Sequence, residues 1–262
     1  KPKMKPDLHI TALQVPLVWE ETIQNREFIT KQLHKFSEKT DLVLLPEMFT
    51  SGFTMNPEAV AETMKGDTIL WMKEWATKLG SAIGGSLVIK EGNKFYNRFI
   101  FISPEGEVNY YDKRHPFTLA GEHLVYSSGF EEGIIEYKGW KICLRICYDL
   151  RFPVWSRNTH NYDVLIYVAN WPKPRINAWD VLLQARAIEN MSYVFGVNRI
   201  GGDEKGHIYP GHTAAYDGLG NCISEASVVS EFIINAKLNY LKLQELRKKL
   251  RFLEDRDNFE MY

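Results

Sequence analysis

The sequence holds few cysteines: Cys143, Cys147 and Cys222 are the three in 262 residues, and no two stand at CxxC spacing. That odd number argues against a disulfide framework and a zinc knuckle, and predicts reduced thiols. Long hydrophobic runs are also missing. No stretch approaches the ~18 apolar residues of a bilayer span. The charged start KPKMKPDLHI lacks the apolar segment of a secretory signal, so a cytoplasmic protein without a membrane partner is expected. Nor is one sign of charge in excess. With 32 basic against 33 acidic side chains and a net charge of −1, no global field favours nucleic acid, and a small molecule or a protein is the expected partner. No Ser/Gly/Pro-rich or low-complexity stretch marks a linker, so residues 1–262 read as a single domain.

What is present is an ordinary globular composition, 45% hydrophobic and 25% charged, ample for a large core. Strands alternate with helices along the chain. HITALQVPL, DLVLLP, AIGGSLVI, FYNRFIFIS and EVNYYDK read as strands, as do KICLRI, DVLIYVANW, SYVFGVNRI, GHTAAYD and SEFIINA. Ile29, Leu33 and Phe36 share helical spacing, and Ile69, Met72, Ala76 and Leu79 line one face of a helix over 68–79 that Gly80 stops. A third helix over 178–190 is expected to turn Val181, Leu182, Ala185 and Ile188 inward, and a last one to run from Leu238 to Leu250. DGLG at 217–220 reads as a hairpin-like turn. This order predicts an α/β layered domain with helices covering sheet faces.

In open α/β architectures ligands gather where strands end, and three such ends carry chemistry. Glu47 follows a short apolar strand and Pro46; Lys113 closes VNYYDK; Cys147 ends KICLRI before a sharp bend into Arg151, Phe152 and Pro153. Singly, they read as a solvated carboxylate, a solvated charge cluster and a buried inert thiol. Jointly, a carboxylate, an ammonium and a thiol are the kit for acyl transfer through a thioester. A thiol of ordinary pKa near ~8.5 is little ionised at neutral pH and needs a base, a role Glu47 fits. Lys113 and the backbone N–H of Tyr148 fit the stabilisation of a tetrahedral oxyanion.

PEMFTSGF, YDKRHPF, ICYDLRFPVWSRN and VANWP, in this order across most of the chain, closely resemble the nitrilase (carbon–nitrogen hydrolase) superfamily. LRFPVWSRN, YVANWP and the tail LEDRDNFEMY are similar to its bacterial omega-amidase branch, which hydrolyses the terminal amide of 2-oxoglutaramate or 2-oxosuccinamate. The resemblance implies a four-layer αββα sandwich of the nitrilase type and a triad on Glu47, Lys113 and Cys147. It further implies a second active-site glutamate, matched by Glu122, that holds Lys113, and a homodimer or higher homo-oligomer. No metal and no organic cofactor are required. Glu189, in RAIEN, reads as a structural residue anchoring its helix to a neighbouring strand. The rivals are a hydrolase of another small amide, nitrile or carbamoyl compound with the same three residues, and a non-catalytic thiol-sensing protein of the same fold.

An omega-amidase must also read a distal carboxylate, for which arginine offers the best fork. Arg151, Lys173 and Arg175 are the candidate binding residues, each with an alternative as a brace or a solvated charge, and Phe49, Phe117, Trp155 and Trp171 are candidate walls. Arg145, inside the strand before Cys147, is expected to have a carboxylate partner or to reach the surface. His207 and His212 lack a third ligand nearby and are not read as a metal site. RKKLR at 247–251 reads as a solvated helix face. Phe252, Leu253, Phe259, Met261 and Tyr262 of the tail are expected to dock on the same or a neighbouring subunit.

Overall fold

The computed structural model describes residues 6–36 and 39–261; Tyr262 of the apolar tail and residues 1–5 of the charged start lie outside the described residues. The first strands in chain order are β1 (Leu8–Leu13), β2 (Leu42–Leu44), β3 (Ala82–Glu91), β4 (Lys94–Ile102), β5 (Val108–Asp112), β6 (Ile134–Tyr137) and β7 (Trp140–Ile146). They continue as β8 (Val164–Ala169), β9 (Tyr193–Asn198), β10 (Ile200–Gly202), β11 (Ile208–Pro210), β12 (Ala214–Tyr216), β13 (Glu225–Ala226) and β14 (Ile233–Leu238). The helices are α1 (Thr22–Leu33), α2 (Pro57–Val60), α3 (Asp67–Leu79), α4 (Glu122–Val125), α5 (Ile176–Asn190) and α6 (Tyr240–Leu250).

Two sheets share one plan. In the seven-stranded sheet, ordered β13-β14-β1-β2-β3-β4-β5, the trio β1, β2 and β3 is parallel, and β14 and β4 flank it antiparallel. In the five-stranded sheet, ordered β12-β9-β8-β7-β6, the trio β7, β8 and β9 is parallel between antiparallel neighbours. Because β4 reverses on β3 and β5 reverses on β4, β5 regains the direction of β2. The ends of β2 and β5 therefore reach the same rim, which brings Glu47 and Lys113 to one place.

Side-chain alternation builds the layers. In β8, Val164, Ile166 and Val168 face the other sheet, and Leu165, Tyr167 and Ala169 face α5. Burial on both faces is why these strands read as unbroken apolar runs. In β2, Leu42 and Leu44 enter the core between the sheets, and Val43 packs with Ile29 of α1 and Met72 of α3. The result is the four-layer αββα sandwich.

Four expectations are corrected. The buried face of α5 carries Trp179, Leu183, Arg186, Ala187 and Asn190, whereas Val181 and Ile188 are exposed. Apolar residues lie on both sides of this helix, so spacing alone could not choose. The choice is made by Gly196 of β9, where an added Cβ would stand 2.4 Å from Leu183 Cδ1 and 2.7 Å from Trp179 Cζ2. Gly196→Ala is therefore expected to destabilise by about 1–3 kcal/mol through overpacking, read as a lowered midpoint of chemical unfolding.

Arg145, 1% exposed, has no carboxylate acceptor among the described residues. It donates to the carbonyls of Glu132 (2.7 Å), Leu144 (2.8 Å) and Trp155 (2.7 Å), and lies over the rings of Tyr111 and Trp155. Three carbonyl dipoles and two π faces do the work expected of a counter-ion. Leu238 ends β14, and α6 starts at Tyr240 behind the cap Asn239. In RKKLR, Arg247 is no solvated charge: it donates to Asp163 (3.0 Å), Tyr162 O (2.6 Å) and Met191 O (2.8 Å), and pins α6 to the body. Beyond it, Arg256 donates to Asn161, but Phe252, Phe259 and Met261 stay exposed on this chain.

Candidate active site

Each of the three strand ends supplies one reacting group. Glu47 follows β2, Lys113 follows β5 and Cys147 follows β7. Around Lys113 the other charges are occupied elsewhere. Asp112 takes two bonds from Arg98 (2.7 and 2.8 Å), and His115 Nδ1 lies 2.7 Å from Asp149. Lys113 alone turns inward, where it is 1% exposed.

Its ammonium lies between two carboxylates that are both 0% exposed, 3.0 Å from Glu47 Oε1 and 2.9 and 3.1 Å from the oxygens of Glu122. Asn97 of β4 bridges the pair, donating to Glu47 Oε1 at 2.7 Å and Glu122 Oε1 at 3.2 Å, and its own oxygen accepts from Ser86 at 2.8 Å. Asn170, just past β8, donates from its backbone to Glu47 Oε2 at 2.9 Å and from its side chain to Glu47 O at 2.6 Å. Every oxygen of Glu47 is thereby aimed. Burial alone would lower the Lys113 pKa, but Glu122 and then Glu47 outweigh it and push it up, so the ammonium persists.

Cys147 opens a 3-10 turn over Cys147–Arg151 with φ of 43°, a left-handed conformation that costs a non-glycine residue energy. What holds it is Asp149, 0% exposed, which accepts from Ile146 N (3.0 Å), Tyr111 OH (2.8 Å) and His115 N (3.1 Å). The thiol is pushed well above its ordinary pKa by burial and by the Glu47 carboxylate, against the opposing pull of Lys113. At rest it keeps its proton, and a neighbouring base must remove it for the sulfur to attack. Glu122 is likewise raised, by burial first and by the Glu47 charge, with Lys113 opposing.

A cavity of about 350 Å³ opens over Cys147. Phe117, Tyr148, Arg151, Trp171 and Arg175 are among the residues that line it. Lys173 is exposed and is not among the lining residues, because the 3-10 turn Lys173–Arg175 points it outward and brings Arg175 round. Phe49 and Trp155 are core residues rather than walls: Phe49 packs against Trp71, and Trp155 donates to Tyr111 OH. Glu189 pairs with Arg186 of its own helix at 3.0 Å and accepts from Arg157, not from a strand.

Asn97, Asn170, Phe53 and the β10–β11 hairpin had escaped the sequence reading. Asn97 interrupts an apolar strand, a signal that a buried polar group has work to do. The hairpin contributes Asp203, Lys205, His207 and Tyr209 to the cavity, and is anchored by Arg199, which donates to Leu17 O and Gly202 O, both at 2.8 Å. His207 is bound to Asp203 and His212 to Asp180, each at 3.0 Å. Among the described residues no cluster of three His, Cys, Asp or Glu could hold a metal ion, and no helix is long and apolar enough to cross a membrane.

Comparison with known proteins agrees with this geometry. The family model for carbon-nitrogen hydrolases matches residues 9–248. The chain is 43% identical over 258 residues to omega-amidase YafV of Escherichia coli K12, covering 98% of this chain and 100% of that protein. It is 33% identical over 254 residues to the 2-oxoglutaramate amidase of Bacillus subtilis, covering 94% and 96%. Among solved structures, a CN-hydrolase superfamily protein from Xanthomonas campestris, with an arsenic adduct in its active site, superposes with a TM-score of 0.92 at 38% identity, covering 98% of this chain and 100% of that one. With the family match running through all three strand ends and the sandwich that positions them, the chain belongs to the carbon–nitrogen hydrolase family.

Proposed function

We propose that the protein is an omega-amidase, which cleaves the terminal amide of short dicarboxylic monoamides such as 2-oxoglutaramate or 2-oxosuccinamate to the acid and ammonia. The observation that carries the reading is an ammonium buried between Glu47 and Glu122 beside the Cys147 thiol on a cavity floor. Glu47 takes the thiol proton as Cys147 attacks the amide carbon. The tetrahedral oxyanion meets the Lys113 ammonium and the N–H of Tyr148. Glu47 returns the proton to the departing nitrogen, ammonia leaves, and a thioester remains. Glu47 then takes a proton from water, whose oxygen attacks the thioester and releases the acid and the thiol. Protons and electrons balance within this cycle without a further cofactor. Glu122 keeps Lys113 charged and oriented.

The direct test is ammonia release from 2-oxoglutaramate, succinamate and glutaramate beside glutamine, asparagine and a short nitrile. Turnover of the monoamides supports the reading; turnover of the nitrile alone would move the protein to another branch of the family. Asn97→Ala should lower kcat by about 10²-fold, since it frees both carboxylates from their shared donor. A loss confined to KM would show that Asn97 does not set the catalytic geometry. The three cysteines are unpaired, which suits a reducing cytoplasm. Exposed Val181 and Ile188 on α5, with Phe252 and Phe259 of the tail, support a homo-oligomer, measurable by sedimentation.

A further inference from the structure

Ten of the twelve arginines donate to a protein oxygen. Arg151 and Arg175 have no such acceptor among the described residues, and both line the cavity over Cys147. Each guanidinium instead lies over a cavity ring: Arg151 is 5.2 Å from the centroid of Trp171, and Arg175 is 5.3 Å from that of Phe117. Trp171 Nε1 donates to the Arg175 carbonyl at 2.7 Å, which ties the two walls together. Stacking restrains a guanidinium without using its in-plane N–H donors, so both forks remain available to a ligand.

The anions in and beneath the cavity are committed. Glu47 is held by Lys113, Asn97 and Asn170, and Glu122 by Lys113, Asn97 and the N–H of Phe117. Asp203 Oδ1 accepts from Lys205 N (2.9 Å) and His207 N (3.0 Å), and Oδ2 from Tyr209 OH (2.8 Å) with His207 Nδ1 at 3.0 Å. A substrate ammonium would meet the cations of Arg151, Arg175 and Lys205 and, among the described residues, no free carboxylate.

We propose that Arg151 and Arg175 form the subsite for the carboxylate distal to the scissile amide, and that their charges exclude acids bearing a 2-ammonium group. The inference rests on the amidase reading and assigns its specificity: monoamides with an oxo group or hydrogen at carbon 2 enter, and amino-acid amides do not. Lys205, exposed on the hairpin tip, adds a point charge at the mouth.

The test compares kcat/KM for glutaramate, for butyramide, which lacks the carboxylate, and for glutamine, which adds the ammonium. In Arg151→Met and in Arg175→Met the glutaramate-to-butyramide ratio should fall by about 10²-fold. A ratio equal to that of the unaltered protein in both variants would overturn the subsite, as would an unaltered protein that prefers butyramide. Glutamine turned over as fast as glutaramate would overturn the exclusion of ammonium. If neither amide is cleaved, the proposed function fails, and the subsite is judged separately by calorimetry of glutarate on the Cys147→Ala protein. Binding that either arginine substitution weakens at least tenfold supports it, and absence of binding refutes it.

Discussion

Cys147→Ala is expected to reduce ammonia release by more than about 10⁴-fold while the unfolding midpoint barely moves. The sulfur forms the covalent bond, so no neighbour can replace it. Structurally it adds little, since the turn is held by Asp149 through Ile146, Tyr111 and His115 rather than by the thiol. Mass spectrometry of protein quenched during turnover should show an acyl adduct on Cys147 that is missing from the variant. The raised thiol pKa sharpens the test of the base. Burial and Glu47 hold the proton on sulfur at neutral pH, so alkylation of the free protein should be slow there and accelerate as pH rises. Turnover should not follow that curve, because Glu47 removes the proton during attack. In Glu47→Gln the residual rate should instead climb with pH alongside alkylation, since thiolate then arises only by ionisation. A Cys147→Ala protein with full turnover, or a Glu47→Gln protein with the unaltered pH profile, would end this mechanism.

The residues that were legible and those that were not differ for a physical reason. Glu47 and Cys147 come after apolar strands of the two parallel trios, and Lys113 follows β5, which two reversals return to the direction of β2, so the three ends share one rim. Glu122 was reachable only through resemblance, because nothing local distinguishes it from any loop carboxylate. The orientation of α5 depends on where Gly196 leaves room, and the acceptors of Arg145 are backbone carbonyls that no side-chain pattern announces. Lys173 and Arg175, two residues apart, were equal candidates as letters. A single 3-10 turn separates them, exposing one and laying the other over Phe117. The β10–β11 hairpin, with its exposed glycines, carries no apolar pattern that announces a site, and its place at the cavity follows from the buried Arg199 beneath it.

Lys113→Met should be the most damaging single substitution for the fold as well as for activity. It leaves Glu47 and Glu122 facing each other with 0% exposure and no cation between them. Removing one partner of a buried ion pair costs about 3–5 kcal/mol, because the remaining charge is left uncompensated. Loss of the oxyanion donor alone lowers turnover by about 10²–10³-fold, and disordering of Glu47 adds to it. The pH dependence has a definite sign. The Lys113 pKa is raised above 10.5 in the fold, so its contribution is fully present below that value and is lost only as pH climbs toward the folded value. The unaltered protein should thus show an alkaline decline from this pair that the variant lacks. Without Lys113 the largest influence that lowers the Glu122 pKa disappears, leaving only the N–H of Phe117, and its carboxyl, already raised by burial, rises further. A raised carboxyl stabilises below its unfolded value, near 4.5, and loses that contribution as pH increases through the folded value. The stability deficit of the variant should therefore be smaller at pH 5 than at pH 8. Adding Glu122→Gln should recover part of the stability at pH 8 and none of the turnover. Equal deficits at both pH values, or a double variant no more stable than the single one, would mean that the carboxylates do not face each other as the Asn97 bridge places them.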